Sequence, residues 1–334
     1  MAIPVLPSPA PPPLPPQENS KKRKSASGFV AVAKRLSIFA VAGFTGGFLC
    51  FAADLGQVKF EDYLRAQISR PIDDIVIVEP KTKEKQSLKL DAKAAAILQI
   101  GAAGREKIIF KENIDQVLPI ASLTKLMTAA IVLENPQIYN LERRVAIGRN
   151  AANQENVPVF GNLMPGEIYS IKDLLGIMLF YSSNDAACAL AEIAGMDSFV
   201  AAMNKKASLI GLERTKFYNA TGLDIENGLE NQSTADDLLI LVCHILKFHP
   251  DIFALTATSG PYSIENGIFD LIPWDNQKLI GGKTGYTERA GGCMISVFEN
   301  EGGRRYVNVL LGSLSAETRV AQMQKMINFS NNYR

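Results

Sequence analysis

In the stretch Ile120-Ala121-Ser122-Leu123-Thr124-Lys125-Leu126-Met127-Thr128-Ala129-Ala130, a serine and a lysine sit three positions apart at the start of an apolar, helix-forming run. On a helix that spacing puts both side chains on one face, one turn apart. A serine hydroxyl is a poor nucleophile until a base takes its proton, and an amine serves as that base only where burial or another cation lowers its pKa. Ser122 is therefore the candidate nucleophile and Lys125 the candidate base. The helix start adds backbone N–H groups and a positive dipole end where an oxyanion would develop. Alone the pair says little: Ser-x-x-Lys arises about once by chance in a chain this long and equally suits a solvated helix start.

Two further stretches change that weight. Tyr181-Ser182-Ser183-Asn184-Asp185-Ala186-Ala187 is a polar break between two apolar helical runs, and Gly282-Lys283-Thr284-Gly285-Tyr286-Thr287 ends a strand-like run. Each has an ordinary explanation by itself, as a turn with an N-cap and as a strand end. Their order and spacing decide the matter. Ser-x-x-Lys, then Ser-x-Asn about 60 positions later, then Lys-Thr-Gly about 100 beyond, is the motif set of penicillin-binding proteins and class A β-lactamases. With Pro119 to Ala129, Ser182 to Ala186, Asn219 to Asp224, Ser233 to Asp237 and Gly282 to Gly285, the chain resembles the low-molecular-mass D-alanyl-D-alanine carboxypeptidases over roughly Leu88 to Phe329.

The resemblance implies roles for matched positions. Ser122 attacks the carbonyl of the penultimate D-alanine of a peptidoglycan stem peptide, Lys125 takes its proton, and Ser182 passes that proton toward the leaving amine. Asn184 holds the substrate amide. Lys283 and Thr284 orient the terminal carboxylate, and the N–H groups of Ser122 and Tyr286 form the oxyanion hole. Lys283 also disfavours protonation of Lys125. Arg319 matches a carboxylate-binding arginine of such enzymes and equally suits a solvated helix start. The resemblance further implies covalent inhibition by β-lactams and no cofactor. A D,D-endopeptidase of the same fold fits the motifs equally well. A class A β-lactamase is disfavoured, since no Glu-x-x-Leu-Asn segment lies between Asp185 and Lys283. A catalytically silent peptidoglycan-binding protein has little need for Ser122, Lys125, Ser182, Asn184 and Lys283 together.

The remaining sequence must position these residues. At 334 residues and 47% hydrophobic, the chain can bury a full-sized core, and a net charge of +1 argues against a nucleic-acid partner. Residues 1–35 are proline-rich and then basic, a disordered cytoplasmic tail. Residues 36–53 form an uncharged run about 18 residues long, a transmembrane anchor or a cleaved signal peptide; the long charged segment before it favours the anchor. Residues 54–87 read as a charged stalk, and 88–334 as the catalytic domain.

Within that domain, Ala94 to Ile100 and Lys107 to Lys111 have the pattern of a hairpin. Helices are expected over Ile171 to Phe180, over Ala186 to Ala194 with Asp185 as cap, from about Ser198 to Ile210, and from Ser233-Thr234-Ala235-Asp236 onward. Lys278 to Gly285, Cys293 to Asn300 and Arg305 to Leu311 read as strands before a final helix from about Ala316 to Phe329. Strands at both ends with helices between suggest one sheet closed by both termini. The resemblance makes this an α/β (α+β) fold of the β-lactamase and penicillin-binding-protein transpeptidase type: an antiparallel sheet covered by helices, with a helical subdomain.

His244 and His249 lack the i, i+4 spacing of a helical metal pair and read as structural. Cys50, Cys188, Cys243 and Cys293 show no metal-type pairing and read as free thiols, so no metal site is expected.

Topology follows from charge. Lys21 to Lys24 and Lys34-Arg35 lie on one side of the apolar run, which keeps that side cytoplasmic and sends the catalytic domain outward. Protease added to intact spheroplasts should remove the catalytic domain and leave a protected proline-rich fragment. A catalytic domain that survives would refute this orientation.

Overall fold

The computed structural model describes residues 87–333 apart from 102–103, 155–160, 226–227, 258–271, 273 and 275–276. The tail, the apolar run, Cys50 and nearly all of the stalk lie outside the described residues. Strands β1 (Ala94–Ile100) and β2 (Glu106–Glu112) form the expected hairpin. They are followed by short strands β3 (Leu118–Pro119), β4 (Arg144–Ala146), β5 (Ile168–Ser170) and β6 (Gln232–Ser233). Long strands β7 (Gln277–Thr287), β8 (Gly291–Asn300) and β9 (Arg305–Ser313) come last. The main sheet has the order β2-β1-β9-β8-β7 and every pairing is antiparallel. Both ends of the catalytic region thus share one sheet, with β7 at its edge.

β1 reads as a continuous apolar run from Ala94 to Leu98 because that part is covered on both faces. Ala94, Ala96 and Leu98 join Ile295, Val297, Val307, Val309 and Leu311 in the larger core. Ala95 and Ile97 turn to the other face, beside Met294, Phe298, Tyr306 and Leu310. A strand sends alternate side chains to opposite faces, and one with no solvated face loses its polar positions.

The helices are α1 (Thr124–Glu134), α2 (Ile171–Phe180), α3 (Asn184–Glu192), α4 (Met196–Leu209), α5 (Ala235–Phe248), α6 (Asp251–Ala257) and α7 (Thr318–Asn332). α7 closes the smaller core with Met323, Met326 and Ile327, while α5 packs on β1 and β9. α1 is buried on every side from Thr124 to Val132, as an apolar helix without a polar face must be.

Capping sets several boundaries. Ser170 and Asp173 form a reciprocal capping box at α2, and the Thr234 hydroxyl accepts from the Asp237 amide at α5. One expectation is corrected at α3. Its N-cap is Ser183, whose Oγ accepts from the Ala186 amide at 3.1 Å, and Asp185 lies inside the first turn. The Asp185 carboxylate accepts instead from the Leu163 amide at 2.8 Å, fastening a neighbouring loop. The short helix α6 was not anticipated.

α6 meets β7 at an irregularity in the β7–β8 register between Leu279 and Gly281. Gly281 has φ +155°, and a Cβ there would lie 2.2 Å from the Phe253 carbonyl oxygen and 2.6 Å from Thr256 Oγ1. Gly281→Ala is therefore expected to lower stability by about 2–3 kcal/mol, as overpacking against fixed backbone does. Urea denaturation measures this, and a change within about 0.5 kcal/mol would contradict the close approach.

Candidate active site

Ser122 sits in a single 3-10 turn, Ala121–Leu123, which runs directly into α1. Ala121 has φ +45°, a left-handed conformation that costs an L-residue about 1–2 kcal/mol. Two glycines hold this turn. A Cβ on Gly222 would fall 2.0 Å from the Ala121 carbonyl oxygen, and one on Gly285 would lie 3.0 Å from both the Ile120 oxygen and the Ser122 nitrogen. The backbone of the candidate nucleophile therefore lies directly against the edge strand β7.

Lys125 is fully buried. Its Nζ lies 2.9 Å from Ser122 Oγ, 2.6 Å from Asn184 Oδ1 and 2.6 Å from the Thr221 carbonyl oxygen. The last two atoms only accept. A neutral amine has two N–H groups and one lone pair, so donation to Asn184 and Thr221 turns the lone pair toward the Ser122 hydroxyl. Burial, and then the neighbouring Lys283 cation, push the Lys125 amine well below its ordinary pKa. The geometry and the electrostatics both favour a base ready to accept a proton from Ser122.

The Thr221 carbonyl is held by its own network. Asn219 Oδ1 accepts from the amides of Thr221 at 3.1 Å and Gly222 at 2.7 Å, an Asx-type turn. Buried Asn231 ties this turn to the catalytic helix: its Nδ2 donates to Thr124 Oγ1 and to the Asn219 carbonyl, each at 2.9 Å. One turn further along α1, Thr128 donates to the Ala220 carbonyl at 2.8 Å. Lys125 and Thr128 directly, and Thr124 through Asn231, anchor α1 to residues 219–222.

The second motif arrives on the connection between α2 and α3. Ser182 has φ +61°, and its Oγ accepts from Lys283 Nζ at 2.8 Å. Ser183 Oγ donates to the Gly161 carbonyl while capping α3. Gly161, with φ +88°, admits this because a Cβ there would sit 2.8 Å from that of Ser183. Lys283 Nζ also donates to the Thr284 carbonyl at 3.0 Å and is only 3% exposed. Burial, and secondarily the Arg319 guanidinium, lower Lys283 to about 7.

Arg319, in the first turn of α7, is 5% exposed and donates through Nη1 to the Gly285 carbonyl at 2.7 Å. It braces β7 and places a positive charge beside the site. A solvated helix-start arginine is thereby ruled out. Thr284 lies on the same strand, half-buried, and the Tyr286 side chain is exposed at 48%.

Two amines thus join three motifs: Lys125 links Ser122 to Asn184, and Lys283 links Ser182 to β7. Sequence reasoning missed Thr221, Asn219 and Asn231 as parts of the site. The signal lay in Asn219 to Asp224, which carried the family resemblance but suggested no role.

The charges make a pH test specific. Acylation of Ser122 by a carboxylate-bearing donor needs Lys125 neutral and Lys283 protonated, so kcat/KM should rise as Lys125 loses its proton and fall above about pH 7 as Lys283 loses its own. Arg319→Gln removes a cation that depresses Lys283, and the descending limb should move to higher pH. A descending limb that stays in place would exclude this coupling.

Comparison with known proteins places this geometry. Residues 80–315 match the family model Peptidase S11, D-alanyl-D-alanine carboxypeptidase. The chain is 32% identical over 259 residues to D-alanyl-D-alanine carboxypeptidase DacF of Bacillus subtilis, covering 74% of this chain and 64% of that one. It is also 32% identical over 200 residues to a D-alanyl-D-alanine endopeptidase of Escherichia coli, covering 57% of this chain and 62% of that one. It therefore spans slightly under two thirds of the length of these curated relatives. Penicillin-binding protein D2 of Listeria monocytogenes, solved in its cefotaxime-bound form, superposes with a TM-score of 0.62 at 32% identity, over 74% of this chain and 99% of that chain. By its motifs, its sheet and the extent of the match, this chain belongs to the D-alanyl-D-alanine carboxypeptidase family, Peptidase S11.

Proposed function

We propose that the protein is a serine-type D-alanyl-D-alanine carboxypeptidase acting on peptidoglycan stem pentapeptides. The observation that carries this reading is the Lys125 amine, buried, committed to two acceptor oxygens and 2.9 Å from Ser122 Oγ. In the first half-reaction the Ser122 oxygen bonds to the carbonyl carbon of the penultimate D-alanine and its proton goes to Lys125. The developing oxyanion is met by the N–H groups of Ser122 and Tyr286. The C–N bond then breaks, and the leaving amine receives a proton through Ser182, giving free D-alanine and an acyl-enzyme. Water hydrolyses that ester in the second half-reaction. Asn184 receives the substrate amide, while Lys283 and Thr284 take the terminal carboxylate. Arg319 adds positive charge from behind β7.

A carboxylate beside Lys283 also raises the fraction of that amine that is protonated, so binding and charge reinforce one another. β-Lactams, whose strained amide and carboxylate resemble the same substrate end, are covalent inhibitors in this reading. The cefotaxime-bound relative supports it. The endopeptidase reading has its own support, since a relative of equal identity carries that name. The residues 36–53 anchor and an extracytoplasmic catalytic domain belong to the same proposal, for peptidoglycan lies outside the cytoplasmic membrane; among the described residues no single helix is long and apolar enough to cross a membrane.

Mass spectrometry of muropeptides incubated with the protein tests the activity. Loss of one alanine from pentapeptides is the expected result, and conversion of cross-linked dimers to monomers would assign an endopeptidase instead. Fluorescent penicillin should label the protein persistently and fail to label Ser122→Ala; labelling that persists in that variant would remove Ser122 as nucleophile. Lys125→Ala should lose acylation by substrate and penicillin alike.

A further inference from the structure

The C-terminal ends of three helices meet away from Ser122. α1 ends at Glu134, the last turn of α4 carries Lys206, and α5 ends at Phe248 with His249 as its C-cap residue. Lys206 Nζ holds Glu134 Oε2. His244 Nε2 lies 2.8 Å and His249 Nε2 3.4 Å from the other oxygen, Oε1. All four side chains are only partly exposed. Five positions apart, the two histidines do not share a helix face; His249 reaches the carboxylate because α5 ends beneath it, with His249 in a non-helical conformation at φ −141° and ψ 53°. Their ring centroids are 6.4 Å apart and tilted by 56°, so each ring turns an edge nitrogen to Glu134 instead of stacking on the other.

We propose that Glu134, His244 and His249 form a divalent-cation site that takes Zn2+, with water completing the coordination. The three ligand atoms all lie within 4.8 Å of one another. A tetrahedral zinc ion bound at about 2.0–2.1 Å needs ligand atoms about 3.3 Å apart; the two imidazole nitrogens already lie 2.8 and 3.4 Å from Oε1, so closure is needed chiefly between the two rings. The ligand set is two imidazoles and a carboxylate, chemistry that suits zinc. Glu134 ends α1 and His249 is the C-cap residue of α5, so the carbonyl ends of these two helices lie beside the cluster and favour a cation there. Lys206 already exploits that field, and by holding Oε2 it orients the carboxylate so that Oε1 faces both histidines. On binding, each Nε2 presents a lone pair to the metal, and any proton on it leaves to solvent. The site joins the end of the catalytic helix to the end of α5, which packs on the sheet. Zinc would therefore fasten these helix ends without entering the chemistry at Ser122.

The test is calorimetric titration of the metal-stripped full-length protein with Zn2+ at pH 7.5, with visible spectroscopy of the Co2+ form in parallel. The expected result is one equivalent of Zn2+ per chain and the d–d bands of tetrahedral Co2+ with nitrogen and oxygen ligands. His249→Gln and Glu134→Gln should each weaken binding at least tenfold. Thermal unfolding in chelator verifies that each variant is folded, and in the wild type added Zn2+ should raise Tm. Absence of stoichiometric binding, wild-type affinity in both variants, or thiolate-to-Co2+ charge-transfer bands would each overturn the site.

Discussion

The arrangement depends on a lysine amine buried without an anion. Among the described residues, neither Lys125 nor Lys283 has a carboxylate within ion-pairing distance. An ion pair would hold the ammonium form and remove the base. Here the partners are two carbonyls, a side-chain amide and two hydroxyls, which satisfy N–H groups without stabilising a positive charge strongly. The contrast with Lys206 is direct. That lysine meets Glu134, as an ordinary structural cation does.

Keeping such an amine in place requires a frame that does not relax around it. The frame is largely backbone. Gly222 allows the 219–222 loop to approach the Ser122 turn at a distance no side chain would tolerate, and Gly285 lets β7 approach it where a Cβ would be crowded. Ala121 and Ser182, both left-handed, aim the two motif turns at the centre, and their local strain persists because the surrounding contacts over-determine it. The sheet supplies the rest: among the described residues β7 pairs with β8 alone, and Arg319 braces it beside the nucleophile.

Much of this was legible in the residues. The apolar run Ile171 to Phe180 became α2 with the expected ends, because Ser170 and Asp173 mark its start with a capping box. The terminal strands were readable from apolar runs punctuated by Glu301-Gly302-Gly303 and the Gly-rich Lys-Thr-Gly segment. What escaped had no residue-type signature. Thr221 acts through a carbonyl oxygen, which every residue possesses, and only the fold decides which one meets Lys125. Ser183 and Asp185 are both good caps, and the choice turned on Leu163 offering an amide to Asp185. The meeting of His244 and Glu134 joins positions 110 apart, beyond the reach of periodicity.

The buried amine of Lys283 also bears on how the folded state responds to protons. Its folded pKa of about 7 lies below the ordinary 10.5, so between those values an unfolding chain takes up a proton that the folded chain lacks. This contribution is absent above about pH 10.5, grows as the pH falls, and levels off below about 7. Lys125, shifted the same way, acts in the same sense. Near neutrality the two amines that make the site reactive therefore also weaken the fold, and an anion held against Lys283 offsets part of that loss by favouring the protonated amine in the folded state. Occupancy of the site and persistence of the fold are coupled through a single ammonium group.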